Sequence, residues 1–149
     1  MTDNSDQTSA SSELEDDESI SGDTLLYRRV LNQQNPPVRQ IVWDENRNCW
    51  RPSSAAFTNH PDGSGMSVGI DDTYKELDIE PTTILNGHPN FSLTAFPTKA
   101  VREKNQKTIR KPLDGDPAHG EVIGKKTKSV KNAIIANCFW VVEPDIKPE

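Results

Sequence analysis

The sequence predicts a single compact α+β domain, a mixed or antiparallel sheet with two or three short helices, behind a disordered acidic N-terminal tail. Three observations carry this. The chain has 149 residues, which fits one domain and hardly two. Strand-like and helix-like runs mix without a βαβ rhythm, and no strand leads into a glycine-rich phosphate loop, which argues against a doubly wound nucleotide fold. The first 23 residues hold eight acids and no Lys or Arg, with Met1, Ala10, Leu14 and Ile20 the scattered apolar positions. Such a stretch cannot bury enough surface to offset the entropy of ordering it. The expected organisation is a disordered tail over 1–23, the domain over 24–144 and a short C-terminal tail over 145–149.

The elements follow from local chemistry. Thr24 to Leu31 reads as the first strand, ended by Asn35-Pro36-Pro37. Val38 to Trp43 alternates as a second strand, which pairing across the Pro-Pro link could join to the first. Asp44 to Asn48 is a turn. Arg51-Pro52-Ser53-Ser54-Ala55 reads as a helix entry, with serines to cap and alanines to pack. Asn59 to Gly65 is dense in turn formers and forms an exposed loop. Met66 to Ile70 is a short strand. Asp71 or Asp72 can cap a helix through Leu77, and Pro81 suits the first turn of another through Leu85. Phe91 to Phe96 alternates as a strand, and Thr98 caps a helix through about Asn105. Thr108–Lys111 and Ala118–Gly124 are further strands around a 113–117 loop. Ser129 to Ala136 carries a helical stripe of Val130, Ala133 and Ile134. Phe139 to Val142 is the last strand, stopped by Pro144.

Charge separates the tail from the domain. The whole chain is net -6. Once the eight tail acids are set aside, 15 acids face 17 bases, so the domain is nearly neutral. The two cysteines, Cys49 and Cys138, make neither a disulfide framework nor a paired metal knuckle. No signal-peptide pattern or apolar run near the ~20 residues of a membrane span is present. The expectation is a cytosolic protein with no metal, no cofactor and no membrane contact.

Several phrases carry a resemblance: LLYRRV at 25–30, WDEN at 43–46, RPSSAAF at 51–57, GHPNFSL at 87–93 and PAHGEVIGKK at 117–126. Their order and spacing over nearly all of 25–142 resemble a family of small bacterial proteins of uncharacterised function. The resemblance implies a bacterial or phage-related cytosolic protein. It brings no activity, cofactor or catalytic residue.

The chemistry-bearing candidates are few. His119 and Glu121 flank Gly120 on a strand and so project from one face, a geometry suited to an acid–base pair. The H-x-E order is also that of zinc deaminases, but the P-C-x-x-C that completes their metal site is missing. His60, His88 and His119 lack a metal-ligand spacing. Ser53, Ser54, Ser64 and Ser67 sit in no nucleophile elbow. Tyr27-Arg28 on the first strand, a later Ser-Ser and Glu121 loosely match an ADP-ribosyltransferase constellation. Trp43, Trp50 and Trp140 read as core. From Lys99 to Lys131 ten cations face four acids, and within this stretch Lys125, Lys126, Lys128 and Lys131 could contact nucleic-acid phosphates. The favoured reading is a non-catalytic accessory protein that binds a partner protein. The alternatives are a small enzyme built on His119 and Glu121, ADP-ribosyltransferase-like or hydrolytic, and nucleic-acid contact through 99–131.

Overall fold

The computed structural model describes residues 14–35 and 37–148. Among these residues eight strands form two antiparallel sheets, with three short α-helices and two 3-10 turns. The strands are β1 (Leu25–Leu31), β2 (Ile41–Asp44), β3 (Cys49–Pro52), β4 (Met66–Ile70), β5 (Phe91–Pro97), β6 (Lys107–Arg110), β7 (His119–Ile123) and β8 (Phe139–Val142). The helices are α1 (Asp71–Glu76), α2 (Thr98–Arg102) and α3 (Lys128–Asn137). Six strands make the main sheet in the order β6-β7-β4-β1-β5-β8, and β2 with β3 makes a separate hairpin.

Alternation divides the main sheet into two faces. Leu26, Val30, Met66, Val68, Ile70, Phe96 and Val122 point to the larger core, which Val101 of α2, Val130 and Ile134 of α3, and Phe57 complete. The hairpin closes this core with Ile41 and Trp50, and Trp43 meets Trp50 edge-on at 5.2 Å between ring centroids. That cross-strand pair holds Cys49–Pro52 as a strand, so the helical entry read from Arg51 begins only after Pro52. Ser53 then caps the 3-10 turn Ser54–Ala56 by accepting from the Ala55 N–H. Trp50 is the buried tryptophan, while Trp43 and Trp140 are partly buried at the margin of the core. On the second face Tyr27, Leu93, Ala95 and Ala118 pack against Tyr74 of α1 and, with Ile79, Ile84 and Leu85, form the smaller core.

Two helix starts differ from expectation. Neither Asp71 nor Asp72 caps α1, whose N-cap is Ile70. The buried Asp71 carboxylate instead accepts from the Tyr27 hydroxyl at 2.6 Å, and Asp72 takes a two-pronged contact from Arg110 at 2.6 and 2.8 Å. Thr98 does not cap α2. Its hydroxyl donates to the Thr24 carbonyl at 2.8 Å, tying α2 to the start of β1.

The largest correction concerns the acidic segment. Residues 1–13 lie outside the described residues, but 14–23 are ordered against the domain. Ile20 is fully buried in the main core. Thr108 on the outer side of β6 donates its N–H to the Asp16 carboxylate at 2.8 Å, and its carbonyl accepts from the Asp17 N–H at 2.9 Å. Asp16 pairs with Arg102 at 3.0 Å and Asp17 with Arg110 at 3.5 Å. Lys107 Nζ donates to the Leu14 carbonyl at 2.8 Å, and the Lys99 N–H to Gly22 at 2.9 Å. The acids that argue for a solvated tail are the groups that bind this segment to a basic edge.

Candidate functional site

The sheet register decides what surrounds His119 and Glu121. β7 pairs with β4 so that Gly69 faces His119 and Ser67 faces Glu121. Both predicted residues therefore share the second face, as their spacing implies. Gly120 between them points to the main core, where a Cβ would meet the Ile109 carbonyl and the Ile70 side chain at 2.5 Å each. The glycine of the triplet is thus a packing requirement.

The two side chains do not engage each other. Glu121 is buried and accepts from the Gly65 N–H at 3.2 Å, while its other oxygen lies 3.2 Å from Lys111 Nζ. It faces a cavity of about 340 Å³ bordered by Gly65, Lys111, Gly124 and Leu14. His119 is half-buried. Its Nδ1 lies 2.9 Å from the Lys111 carbonyl and its Nε2 lies 3.2 Å from Ser67 Oγ. The acid–base pair expected from the sequence is therefore two separate contacts, a Glu121–Lys111 ion pair and a Ser67–His119 hydrogen bond. Ser67 comes from a strand far away in sequence. Its own signal was its place between the apolar Met66 and Val68, which sends the hydroxyl to the opposite face.

The remaining constellations come apart. Arg28 points to the main core face, opposite to Glu121. Its guanidinium donates to the carbonyls of Ala56, Ser67 and Thr58 at 3.0, 3.0 and 3.4 Å, and burial lowers its pKa to about 10. With Ser53 capping a turn, the ADP-ribosyltransferase-like constellation is not assembled. His60 pairs with Asp62 in an exposed loop, and His88 meets Arg29 at 3.0 Å. Each histidine thus has its own partner, and no group of three potential metal ligands occurs among the described residues.

The basic stretch is likewise divided. Lys126 is half-buried and gives its three N–H donors to Asn59 Oδ1, Gly124 O and Val122 O at 2.7, 2.7 and 3.0 Å. Burial, aided by the Arg28 charge, lowers its pKa to about 8. It pins the 56–59 loop and has no donor left for a phosphate. Lys99, Arg102 and Arg110 face the acidic segment, and Lys111 faces Glu121. Of the four lysines proposed for nucleic acid, Lys125 and Lys128 are exposed and Lys131 half-buried.

A surface without a sequence signal lies at the other edge of the sheet. β8 has β5 on one side, and among the described residues no backbone hydrogen bond reaches its outer side. Phe139 and Val141 are 49% and 38% exposed there. Beside the strand a cavity of about 490 Å³ is lined by Trp50, Trp140, Ile135, Cys49 and Cys138, with Arg47 and Arg51 at its border. Trp140 Nε1 donates to the Trp50 carbonyl at 2.9 Å, which fixes the cavity wall. Burial raises the Cys138 thiol to about 11, away from nucleophilic thiolate chemistry.

No family model matches the chain, and neither a curated protein nor a solved structure matches it. Among the described residues no helix is long and apolar enough to cross a membrane.

Proposed function

We propose that this domain is an accessory protein of the bacterial cytosol that binds a protein partner by strand addition along β8. The observation that carries the reading is the difference between the sheet's edges. β6 is covered by the chain's own acidic segment, whereas among the described residues the outer backbone of β8 is unpaired, next to exposed Phe139 and Val141. Open, apolar edge strands are templates for another chain, and folded proteins ordinarily cover or charge them. Strand addition draws affinity from main-chain hydrogen bonds and specificity from neighbouring pockets. Here the Trp50/Trp140 cavity would take an apolar side chain, and Arg47 and Arg51 would favour a carboxylate beside it.

The test compares wild type with a Phe139→Lys/Val141→Lys variant, each used to capture partners from its host and then assayed against the captured protein. Wild type should recover a partner that the variant loses, with both proteins melting alike. Equal capture by the variant would remove the reading.

A further inference from the structure

We infer that Ser67 and His119 form a nucleophile–base pair that cleaves a small carboxylic ester carrying a single negative charge, at a place distinct from β8. The hydrogen-bond pattern sets the protonation of the ring. The Lys111 carbonyl 2.9 Å from Nδ1 can only accept, so Nδ1 carries the proton. Nε2 is then a lone pair facing Ser67 Oγ at 3.2 Å, able to accept the hydroxyl proton. The orienting carbonyl is itself fixed, because the Lys111 N–H donates to the His119 carbonyl at 2.9 Å. Nucleophile, base and orienting acceptor thus stand in the order that activates a serine. Gly69, cross-strand from His119, leaves room for the Tyr74 ring over the sheet, since a Cβ there would meet the Tyr74 hydroxyl at 2.6 Å.

The surroundings select the substrate. Ser67, His119, Arg29, Ile84 and Asp116 border a small cavity of about 40 Å³. A second cavity of about 350 Å³ shares Arg29, Ile84 and Asp116 and adds Tyr74, Ile79 and His88. Arg29 Nη1 is held by His88 Nε2 at 3.0 Å and the Ile84 carbonyl at 3.4 Å, and the guanidinium lies over the Phe91 ring at 5.8 Å. No carboxylate among the described residues forms an ion pair with it. An oriented guanidinium with donors to spare fits an anionic oxygen. Asp116 is the acid on these walls, which limits the substrate to one negative charge. The apolar Ile79 and Ile84 suit a short aliphatic acyl chain.

The chemistry balances without a cofactor. Ser67 Oγ attacks the ester carbonyl carbon as its proton passes to Nε2, and the carbonyl π pair moves to oxygen. Collapse restores the C=O, breaks the bond to the alkoxy oxygen and sends the Nε2 proton to the departing alcohol. Water then attacks the acyl-serine with Nε2 again taking the proton. Collapse releases the acid and returns the proton to Ser67. One ester and one water become one acid and one alcohol.

The test uses the full chain with p-nitrophenyl hydrogen succinate and p-nitrophenyl acetate as probes. Wild type should release p-nitrophenolate and carry an acyl adduct that peptide mass mapping places on Ser67. Ser67→Ala and His119→Gln should each slow release by about 10²-fold or more, while Ser129→Ala, on the exposed start of α3, should not. Arg29→Gln should bring the ratio of succinate-ester to acetate-ester hydrolysis down to about one, whatever its effect on the absolute rates. The adduct's position is read on wild type and does not depend on any variant folding. Adducts on lysines alone, or unchanged release by a folded Ser67→Ala protein, would overturn the proposal.

Discussion

The two edges of the main sheet solve the same problem differently. At β6 the backbone of Thr108 is occupied on its outer side by Asp16 and Asp17, and three arginine and lysine side chains pull the acidic segment onto the strand. At β8 no described residue covers the outer side, and Phe139 and Val141 stand in contact with solvent. The difference teaches that charge here has a structural use at one edge, while the other edge presents apolar side chains. It also explains why a strongly basic stretch need not be a nucleic-acid surface: much of its charge is consumed within the fold.

This comparison can be broken at several points. The largest effect is expected from removing residues 1–23. The loss takes Ile20 out of the core and bares the edge of β6. Thermal unfolding should fall by well over 5 °C, which for a domain of this size corresponds to roughly 1 kcal/mol; an unchanged midpoint would mean the segment is dispensable. Ile20→Ala isolates the apolar part. Complete burial of Ile20 predicts a loss of about 2–5 kcal/mol, readable by urea titration.

Acidification probes the ionic part. Hydrogen bonds from Ser19 hold the Asp17 carboxyl below its ordinary range, and those from Arg110 do the same for Asp72. A carboxylate depressed in the folded state contributes stability that is complete above its unfolded value, about 3.9, and is lost as pH falls through the lower folded value. Stability should therefore decline from about pH 4 downward. In Asp17→Asn/Asp72→Asn protein that decline should be shallower, and an identical slope would show that these contacts contribute nothing. The smallest effect on folding belongs to β8: Phe139→Lys/Val141→Lys should shift stability by no more than about 0.5 kcal/mol, as for surface substitutions generally. A marked loss would mean that the edge is part of the core.

Much of the fold was legible locally. Met66–Ile70 and Phe139–Val142 appear as strands with the bounds that alternation and flanking turn formers imply, and Pro81 opens a 3-10 turn at its first position. What escaped depends on distant partners. The helix entry read over Arg51–Ala55 yields a 3-10 turn capped by Ser53, but Arg51 and Pro52 end a strand because Trp43 faces Trp50 across the hairpin, and β2 pairs with β3 where pairing with β1 was the possibility left open. The acidic segment reads as disordered because no base within it balances its eight acids. Arg102 and Arg110, which hold it, stand some 90 residues later and were available as a complementary charge. At the site, the shared face of His119 and Glu121 followed from the two-residue period. Their separation into different contacts did not, because Ser67 and Lys111 reach them only through the β4–β7 and β6–β7 registers.

The central claim is that the uncovered edge is where a partner adds. Amide hydrogen exchange on the captured complex, compared with the free chain, tests it most directly. The account predicts that the segment 139–142 gains protection on binding while 107–110, already covered by the chain's own residues 14–23, stays as it was. Protection appearing over 99–131 with 139–142 unchanged would contradict it.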